Sequence, residues 1–332
     1  MNIKFLNKSS QERRNMILSE KVLKTMIILT IPMFMMGIVQ ALIPITDGLF
    51  LNNNSGYIIA GAIGFSQSVI GILNAFSQGL SVAASALIGQ LYGKGDIEKT
   101  KHSAVQILVL SFVIGLLLSP LCVILSYIIS RGVSSELSVH VFQYLGLYSF
   151  VLPFLFMASI FNSIKNGTGH PEAPFLRMII LLILKIIFNT LFLSILNLGV
   201  IGAVSASFVS YFLIGIWMYY DLFVKKSDFM LSLKGFRFDF EFVKKTMALA
   251  IPSILSYILV YIGFFLINKE VVKYGSIALN ASTIASNINS IYFVLPTSIG
   301  TTVTTMVSMN IGNGNTKNAK KVFYYGILLS LL

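Results

Sequence analysis

Acidic residues and cysteine are both scarce in this sequence of 332 residues. Asp and Glu number 12 against 24 Lys and Arg, and Cys122 stands alone inside an apolar run. One cysteine excludes a disulfide framework and a cysteine metal site, and the histidines at 102, 140 and 170 lack metal-ligand spacing. Because no cluster of nucleophile, base or metal ligands is visible, we expect neither an enzyme nor a bound cofactor.

Apolar residues are abundant instead, and they fix the class of protein. The sequence is 56% hydrophobic and 11% charged, with a mean hydropathy of +0.84, and its apolar runs reach membrane-spanning length. We therefore expect an all-α polytopic membrane protein in a lipid bilayer. The net charge of +12 does not indicate a nucleic-acid partner, because the basic residues lie between the apolar runs.

The first apolar run carries the first candidate site residue. Thr25 to Thr46 contains no charge, and a helix of about 20 apolar residues crosses a hydrocarbon layer of about 30 Å. The run closes on Asp47, and an ionisable group at such a place faces a partner or a watery cavity rather than lipid. The alternative is that Asp47 only ends the helix, because three asparagines follow at 52–54.

Nine membrane spans are predicted from the apolar runs and the breakers between them. They cover 25–46, 57–90, 103–130, 137–164, 174–196, 200–220, 247–268, 276–308 and a ninth run from about 322. Asn-Asn-Asn-Ser-Gly at 52–56 and Asn-Gly-Thr-Gly-His-Pro at 166–171 predict turns. A charged linker, 221–246, separates the sixth and seventh spans.

The distribution of basic residues predicts the orientation. Twenty of the 24 Lys and Arg fall in segments that this scheme places inside, three fall outside, and Lys185 lies within the fifth span. Loops rich in Lys and Arg stay in the cytoplasm. The N-terminal segment 1–24 is therefore predicted to be cytoplasmic.

An internal repeat divides the sequence. Leu-Thr-Ile-Pro at 29–32 recurs as Leu-Ala-Ile-Pro at 249–252, and Gly-Lys-Gly-Asp at 93–96 recurs as Gly-Asn-Gly-Asn at 312–315. These offsets of 220 and 219 residues predict a duplicated unit of six helices. The predicted domains are an N-terminal lobe, a cytoplasmic linker and an incomplete C-terminal lobe, at 1–220, 221–246 and 247–332. A complete second copy would end at about residue 440, so we expect a C-terminally truncated chain.

A further set of residues resembles the multidrug and toxic compound extrusion (MATE) family, and most closely its DNA-damage-inducible branch. The likeness spans nearly the whole chain. It is carried by Pro32, Gln40 and Asp47, Gly93-Lys-Gly-Asp, Phe161-Asn-Ser-Ile-Lys-Asn-Gly-Thr-Gly, Lys185-Ile-Ile-Phe-Asn189, Leu198-Gly-Val-Ile-Gly-Ala203, and Asn268 with Tyr274-Gly275.

The resemblance implies a fold and a function. The fold is two six-helix lobes around a central cavity, of which this chain holds the first lobe and about three helices of the second. The function is export of amphipathic or cationic compounds across a bacterial inner membrane in exchange for protons, or alternatively sodium, by a monomer. A flippase of the related superfamily that moves polyprenyl-linked sugars, and a non-functional truncated remnant, are the alternatives. Because a flippase should carry several cavity Arg or Lys for the diphosphate, and only Lys185 is evident, the exporter is favoured.

The resemblance also implies a cation-coupling site. Its members are Gln40, Asp47, Asn162, Lys185, Asn189 and Ser207. Relatives commonly carry Asn and Asp four residues apart on the fifth helix, where this chain has Lys185 and Asn189. Residues four apart share a helix face, so Lys185 is expected to place an ammonium in the cavity, where it disfavours sodium.

Three positions of the Lys185 side chain are open from the sequence. It faces the cavity, it pairs with Asp47, or it snorkels toward the cytoplasm along the helix. Asn189 is expected to lie nearer to Asp47 in membrane depth than Lys185 does.

Overall fold

The computed structural model describes residues 8–19, 21–227 and 229–331, and every regular element in these ranges is helical. The helices in chain order are α1 (Ser10–Leu18), α2 (Val22–Lys94), α3 (Ile97–Ser130), α4 (Ser135–Tyr148), α5 (Leu152–Gly167), α6 (Glu172–Asn189), α7 (Gly199–Tyr219), α8 (Phe240–Val271), α9 (Ser276–Asn289), α10 (Val294–Gly312) and α11 (Thr316–Ser330). The helix α6 continues as a π-helix over Thr190–Ile195, and α7 continues as one over Tyr220–Val224. The predicted all-α membrane class is confirmed.

Six helical stretches are long and apolar enough to cross a membrane, and the bent pair of α4 and α5 makes a seventh. The helix α2 has 73 residues and is divided at Gly56, whose backbone is not helical. At about 1.5 Å per residue an unbroken helix of this length would measure about 110 Å, far more than the hydrocarbon layer of about 30 Å. We call residues 22–55 the first arm of α2 and residues 57–94 its second arm.

The break at Gly56 corrects the predicted turn at 52–56. Gly56 has φ 81°, a left-handed value that glycine adopts without a steric penalty. Asn52 and Asn54 instead stay helical, and their side-chain amides each donate to the carbonyl four residues earlier at 2.8 Å. Asp47 therefore lies inside the first arm, and the alternative that it ends the helix is wrong.

Several predicted boundaries are also wrong. The single span 137–164 is two helices bent by 56°, because Pro153 at the start of α5 has no N–H to continue the helix of α4. The predicted linker is partly helical, since Asp239 caps the N-terminus of α8. The predicted span 276–308 is present as one stretch, Ser276–Gly312, with a 3-10 turn at Ser290–Phe293 inside it.

The N-terminal segment holds a helix, α1, that the sequence analysis missed. Ser9 and Glu12 form a capping box at its start, with each side chain accepting from the other's backbone N–H. Residues 1–7 and Glu20, which belong to the same predicted segment, lie outside the described residues.

The second arm of α2 lies at the junction between the first half of the bundle, α2 to α7, and the second half, α8 to α11. It packs along α8, α9 and α10 through glycines. A Cβ built on Gly79 would lie 2.6 Å from the backbone nitrogen of Ile254, and one on Gly93 would lie 2.1 Å from the carbonyl oxygen of Met309. The halves therefore approach to backbone contact, which only glycine permits.

The connections between the membrane helices gather at two ends of the bundle. We call one the basic end; it holds residues 8–19, 21, 93–97, 165–172, 225–227, 229–239 and 310–318. Residues 8–19 are hydrogen-bonded to 93–97, 165–172 and 310–318, and Phe229 packs against the hydrophobic cluster that contains Ile17. The opposite end holds Arg131, Lys269 and Lys273.

Candidate functional site

A buried ion pair joins α2 and α6 inside the first half. Nζ of Lys185 lies 2.8 Å from Oδ2 of Asp47, and their side chains are 3% and 18% exposed. Lys185 therefore turns toward the carboxylate. Of the three positions left open by the sequence, the structure shows the pairing with Asp47, and the snorkelling alternative is wrong.

Two polar side chains complete this contact. Nδ2 of Asn189 donates to Oδ1 of Asp47 at 2.6 Å, while Nζ of Lys185 also donates to Oγ of Ser207 at 2.7 Å. Lys185 and Asn189 are four residues apart on α6, so one helix face presents a donor to each carboxylate oxygen. Ser207 in turn donates to the carbonyl of Ala203 at 3.0 Å. We call Asp47, Lys185, Asn189 and Ser207 the polar cluster.

A small cavity adjoins the polar cluster. Its free volume admits about one water molecule. It is lined by Asp47, Leu51, Ile63, Gln67, Tyr144, Asn189, Leu193, Ala203 and Ser207. The apolar members belong to a buried hydrophobic cluster formed mainly by the first half, so the ion pair lies in a medium of low polarity where charges interact strongly.

Two of the lining residues, Gln67 and Tyr144, were not among the predicted site residues. Gln67 lies in the run from Gly48 to Gly93 that contains no charge, so an isolated amide there was the available signal. Tyr144 stacks obliquely on Tyr148 with ring centroids 5.7 Å apart, and aromatic neighbours of this kind are common in any helical core.

Two members of the expected coupling site lie elsewhere. Gln40 is on the exposed side of the first arm, seven residues and therefore about 10.5 Å along the helix from Asp47. Asn162 accepts a hydrogen bond from Nε of Arg177 through Oδ1 at 3.1 Å. The structure thus brings together four of the six residues, and it separates Gln40 and Asn162 from them.

Arg177 is a second buried base that the sequence analysis did not count as a cavity residue. Its side chain is 3% exposed, one Nη contacts Sδ of Met178 at 2.8 Å, and the other has no hydrogen-bond partner. Within the described ranges no carboxylate lies in ion-pair distance of it. It precedes Lys185 by eight residues, about 12 Å along α6.

Comparison with known proteins identifies the class and the family. The model of the MatE family matches residues 32–191 and 252–332. The probable multidrug resistance protein YoeA of Bacillus subtilis is 23% identical over 322 residues, covering 94% of this chain and 69% of that protein. The multidrug resistance protein MdtK of Pectobacterium atrosepticum is 24% identical over 316 residues, covering 90% of this chain and 67% of that protein.

Solved structures agree on the fold. A MOP superfamily transporter from Pyrococcus furiosus superimposes with a TM-score of 0.86 at 23% identity, covering 97% of this chain and 72% of that one. A multidrug resistance MATE family transporter in an outward-facing conformation superimposes with a TM-score of 0.83 at 24% identity, covering 94% and 70% of the two chains.

A bundle of apolar helices with an acid and a base paired between two of them indicates a membrane transporter, and the bacterial relatives indicate a multi-pass protein of the inner membrane. The chain belongs to the MatE family. It spans about two thirds of the length of the relatives YoeA and MdtK.

Proposed function

We propose that this protein is a secondary antiporter that exports amphipathic or cationic compounds in exchange for protons. The observation that carries the proposal is the ion pair of Asp47 and Lys185, buried in a helical bundle of the MatE family. The multidrug resistance names of the bacterial relatives support the substrate class.

Asp47 is the group whose charge state couples the two fluxes. As a carboxylate it accepts from Lys185 and Asn189, and protonation removes the negative charge that holds the ammonium. A buried charge without its partner is strongly unfavourable, so loss of the pair changes which arrangement of the helices is stable. A proton or a substrate cation thereby competes with Lys185 for the carboxylate.

The arrangement favours protons over sodium as the coupling ion. Sodium requires several oxygen ligands, as other hard cations do. In the polar cluster, the Lys185 ammonium stands against Asp47, and Asn189 directs its amide nitrogen rather than its oxygen at the same carboxylate. A sodium ion at Asp47 would therefore meet a like charge and would lack an oxygen ligand.

The basic end is proposed to face the cytoplasm. Eleven of the 23 Lys and Arg of the described residues lie in it, whereas Arg131, Lys269 and Lys273 lie at the opposite end. This distribution follows the positive-inside rule. One proton that enters down 100 mV releases about 2.3 kcal/mol, which at about 1.4 kcal/mol per decade exceeds a tenfold gradient of a neutral substrate.

Ethidium efflux tests the proposal. The longest reading frame that contains this sequence is expressed in cells that lack their own efflux pumps, beside Asp47→Asn and Glu136→Gln variants. Glu136 is an exposed acid in the first turn of α4 and serves as the matched control. Efflux by the parent and by Glu136→Gln, lost in Asp47→Asn, is the expected result; equal efflux by the parent and both variants contradicts it.

Arg177 supports a second candidate, a flippase for polyprenyl-linked saccharides. Arg and Lys bind diphosphates, and Arg177 with Lys185 places two buried bases on α6. The two functions differ in their response to Arg177→Met. A flippase loses transport of a fluorescent polyprenyl diphosphate sugar, whereas the exporter keeps ethidium efflux because Arg177 lies about 12 Å along α6 from Lys185.

A further inference from the structure

The helix α1 lies across the basic end, over the junction of the two halves. Beneath it the second arm of α2 contacts α10: a Cβ on Gly93 would lie 2.1 Å from the carbonyl oxygen of Met309, and one on Gly312 would lie 1.9 Å from that of Gln90. Ile17 of α1 is fully buried in the same hydrophobic cluster as Met309. The side chain of Ile17 thus covers a contact between the two halves.

Two arginines attach α1 to the first half. Nη1 of Arg13 forms an ion pair with Oε1 of Glu172 at 2.5 Å, at the start of α6. Nε of Arg14 donates to the carbonyl of Tyr92 at 2.9 Å, and its Nη2 donates to that of Gly93 at 2.5 Å. Arg14 therefore binds two carbonyl groups in the last turn of the second arm.

Two buried asparagines attach α1 to the second half. Nδ2 of Asn310 donates to the carbonyl of Ile17 at 3.3 Å, and Nδ2 of Asn318 donates to that of Ser19 at 3.2 Å. Asn318 also donates to Oδ1 of Asn310 at 2.8 Å. These hydrogen bonds join the C-terminal end of α1 to α10 and α11.

The two attachments are of unequal strength. Hydrogen bonds to charged groups are roughly twice as strong as neutral ones, and the first half holds α1 through two guanidinium groups. The first half is also covalently joined to α1, since only residues 19–21 separate it from α2. In the described residues, the hydrogen bonds of Asn310 and Asn318 to α1 come from neutral amides, beside the apolar contact of Ile17 with the cluster of Met309.

We propose that α1 is a strap that closes the basic end, stays with the first half, and releases Asn310 and Asn318 when the halves separate at that end. The role rests on the proposed transport function, in which the two halves rearrange around a substrate. The strap is a property of this chain's own segment, residues 9–19, and its bonds to both halves.

Thiol labelling tests the strap. The side chain of Met309 lies under α1 and is fully buried, so Met309→Cys places a reporter at the covered junction. The native Cys122 is buried in α3 outside this region and reports general loosening of the bundle. Both thiols are labelled with a membrane-impermeant maleimide in detergent-solubilised protein and read by peptide mass spectrometry.

Asn318→Ala is expected to raise the labelling rate at position 309 by about tenfold, because it removes two buried hydrogen bonds. Lys320→Ala is the control, since Lys320 is exposed on the same helix. Equal rates in the two variants overturn the strap. A parallel rise at Cys122 also overturns it, because the substitution then loosens the whole bundle.

A covalent lock separates this proposal from the proposed function. Ser19→Cys and Asn318→Cys are joined by a cleavable bismaleimide, and ethidium efflux is measured before joining, after joining and after cleavage. We expect ethidium efflux to be lost when the two cysteines are joined and to recover when the linker is cleaved. Efflux that persists after complete joining overturns the strap and leaves the antiporter standing. Absence of efflux in the unjoined protein refutes the antiporter, while the labelling rates still decide the strap.

Discussion

Lys185 and Asp47 form an ion pair of 2.8 Å between α6 and the first arm of α2, and Lys185 is almost completely buried in it. A lysine in this environment has lost its hydration, and its charge is stabilised by Asp47 and by Oγ of Ser207. The pair therefore fixes how α6 lies against α2 and, in the proposed function, what must change when a proton or a substrate binds.

Asp47→Asn should destabilise the protein by about 3–5 kcal/mol, because it leaves the buried Lys185 ammonium without its counter-charge. Combining it with Lys185→Met should restore most of the loss, since both charges are then removed together. The free energy of unfolding in mixed micelles, measured for a double-mutant cycle, checks this. Strictly additive effects of the two substitutions would contradict the coupling.

Lys185→Asn should create a response to sodium. The substitution removes the ammonium and supplies an amide oxygen near Asp47, and sodium at about a hundred times its Kd would stabilise the folded state by about 2.7 kcal/mol. Thermal unfolding in sodium chloride is compared with unfolding in choline chloride. Lys269→Asn, at the opposite end, is the control, and a sodium response in the unmodified chain would contradict the account.

Gly79→Ala should weaken the packing of the two halves. The added Cβ would lie 2.4 Å from Cγ1 and 2.6 Å from the backbone nitrogen of Ile254, so α2 and α8 must move apart. Overpacking of this kind destabilises by about 1–3 kcal/mol.

The matched control is Gly263→Ala in α8, where an added Cβ meets no atom within 4 Å. This control should stabilise the helix by up to about 1 kcal/mol, because alanine has the higher helix propensity. The free energies of unfolding of the Gly79→Ala and Gly263→Ala proteins, measured under the same conditions, check both expectations. A Gly79→Ala protein as stable as the control would show that the halves do not pack as closely as described.

Much of the fold follows from the sequence because charge-free runs of membrane length admit one interpretation. The positions at which the helices break do not follow from the sequence in this way. The asparagines at 52–54 predict a turn by composition. Asn52 and Asn54 instead donate their side-chain amides to backbone carbonyls of the same helix, and the helix breaks at Gly56. The helix α1 was missed because its capping box lies in a segment whose polarity obscured the pattern.

Four of the six predicted site residues come together in the structure. The spacing of Lys185 and Asn189 on one helix face indicates that both point the same way, and the structure shows both on Asp47. Which helices meet is a tertiary question that spacing on one helix does not answer. The sequence therefore did not predict that Asn162 contacts Arg177 instead of the polar cluster, or that Gln40 lies on an exposed face.

The most direct test of the proton-coupled role of Asp47 uses purified protein in liposomes with an imposed ion gradient. A proton gradient should drive accumulation of ethidium by the parent protein, a sodium gradient alone should drive none, and Asp47→Asn should be inactive with either. Accumulation driven by sodium alone, or proton-driven accumulation that survives Asp47→Asn, would contradict the account.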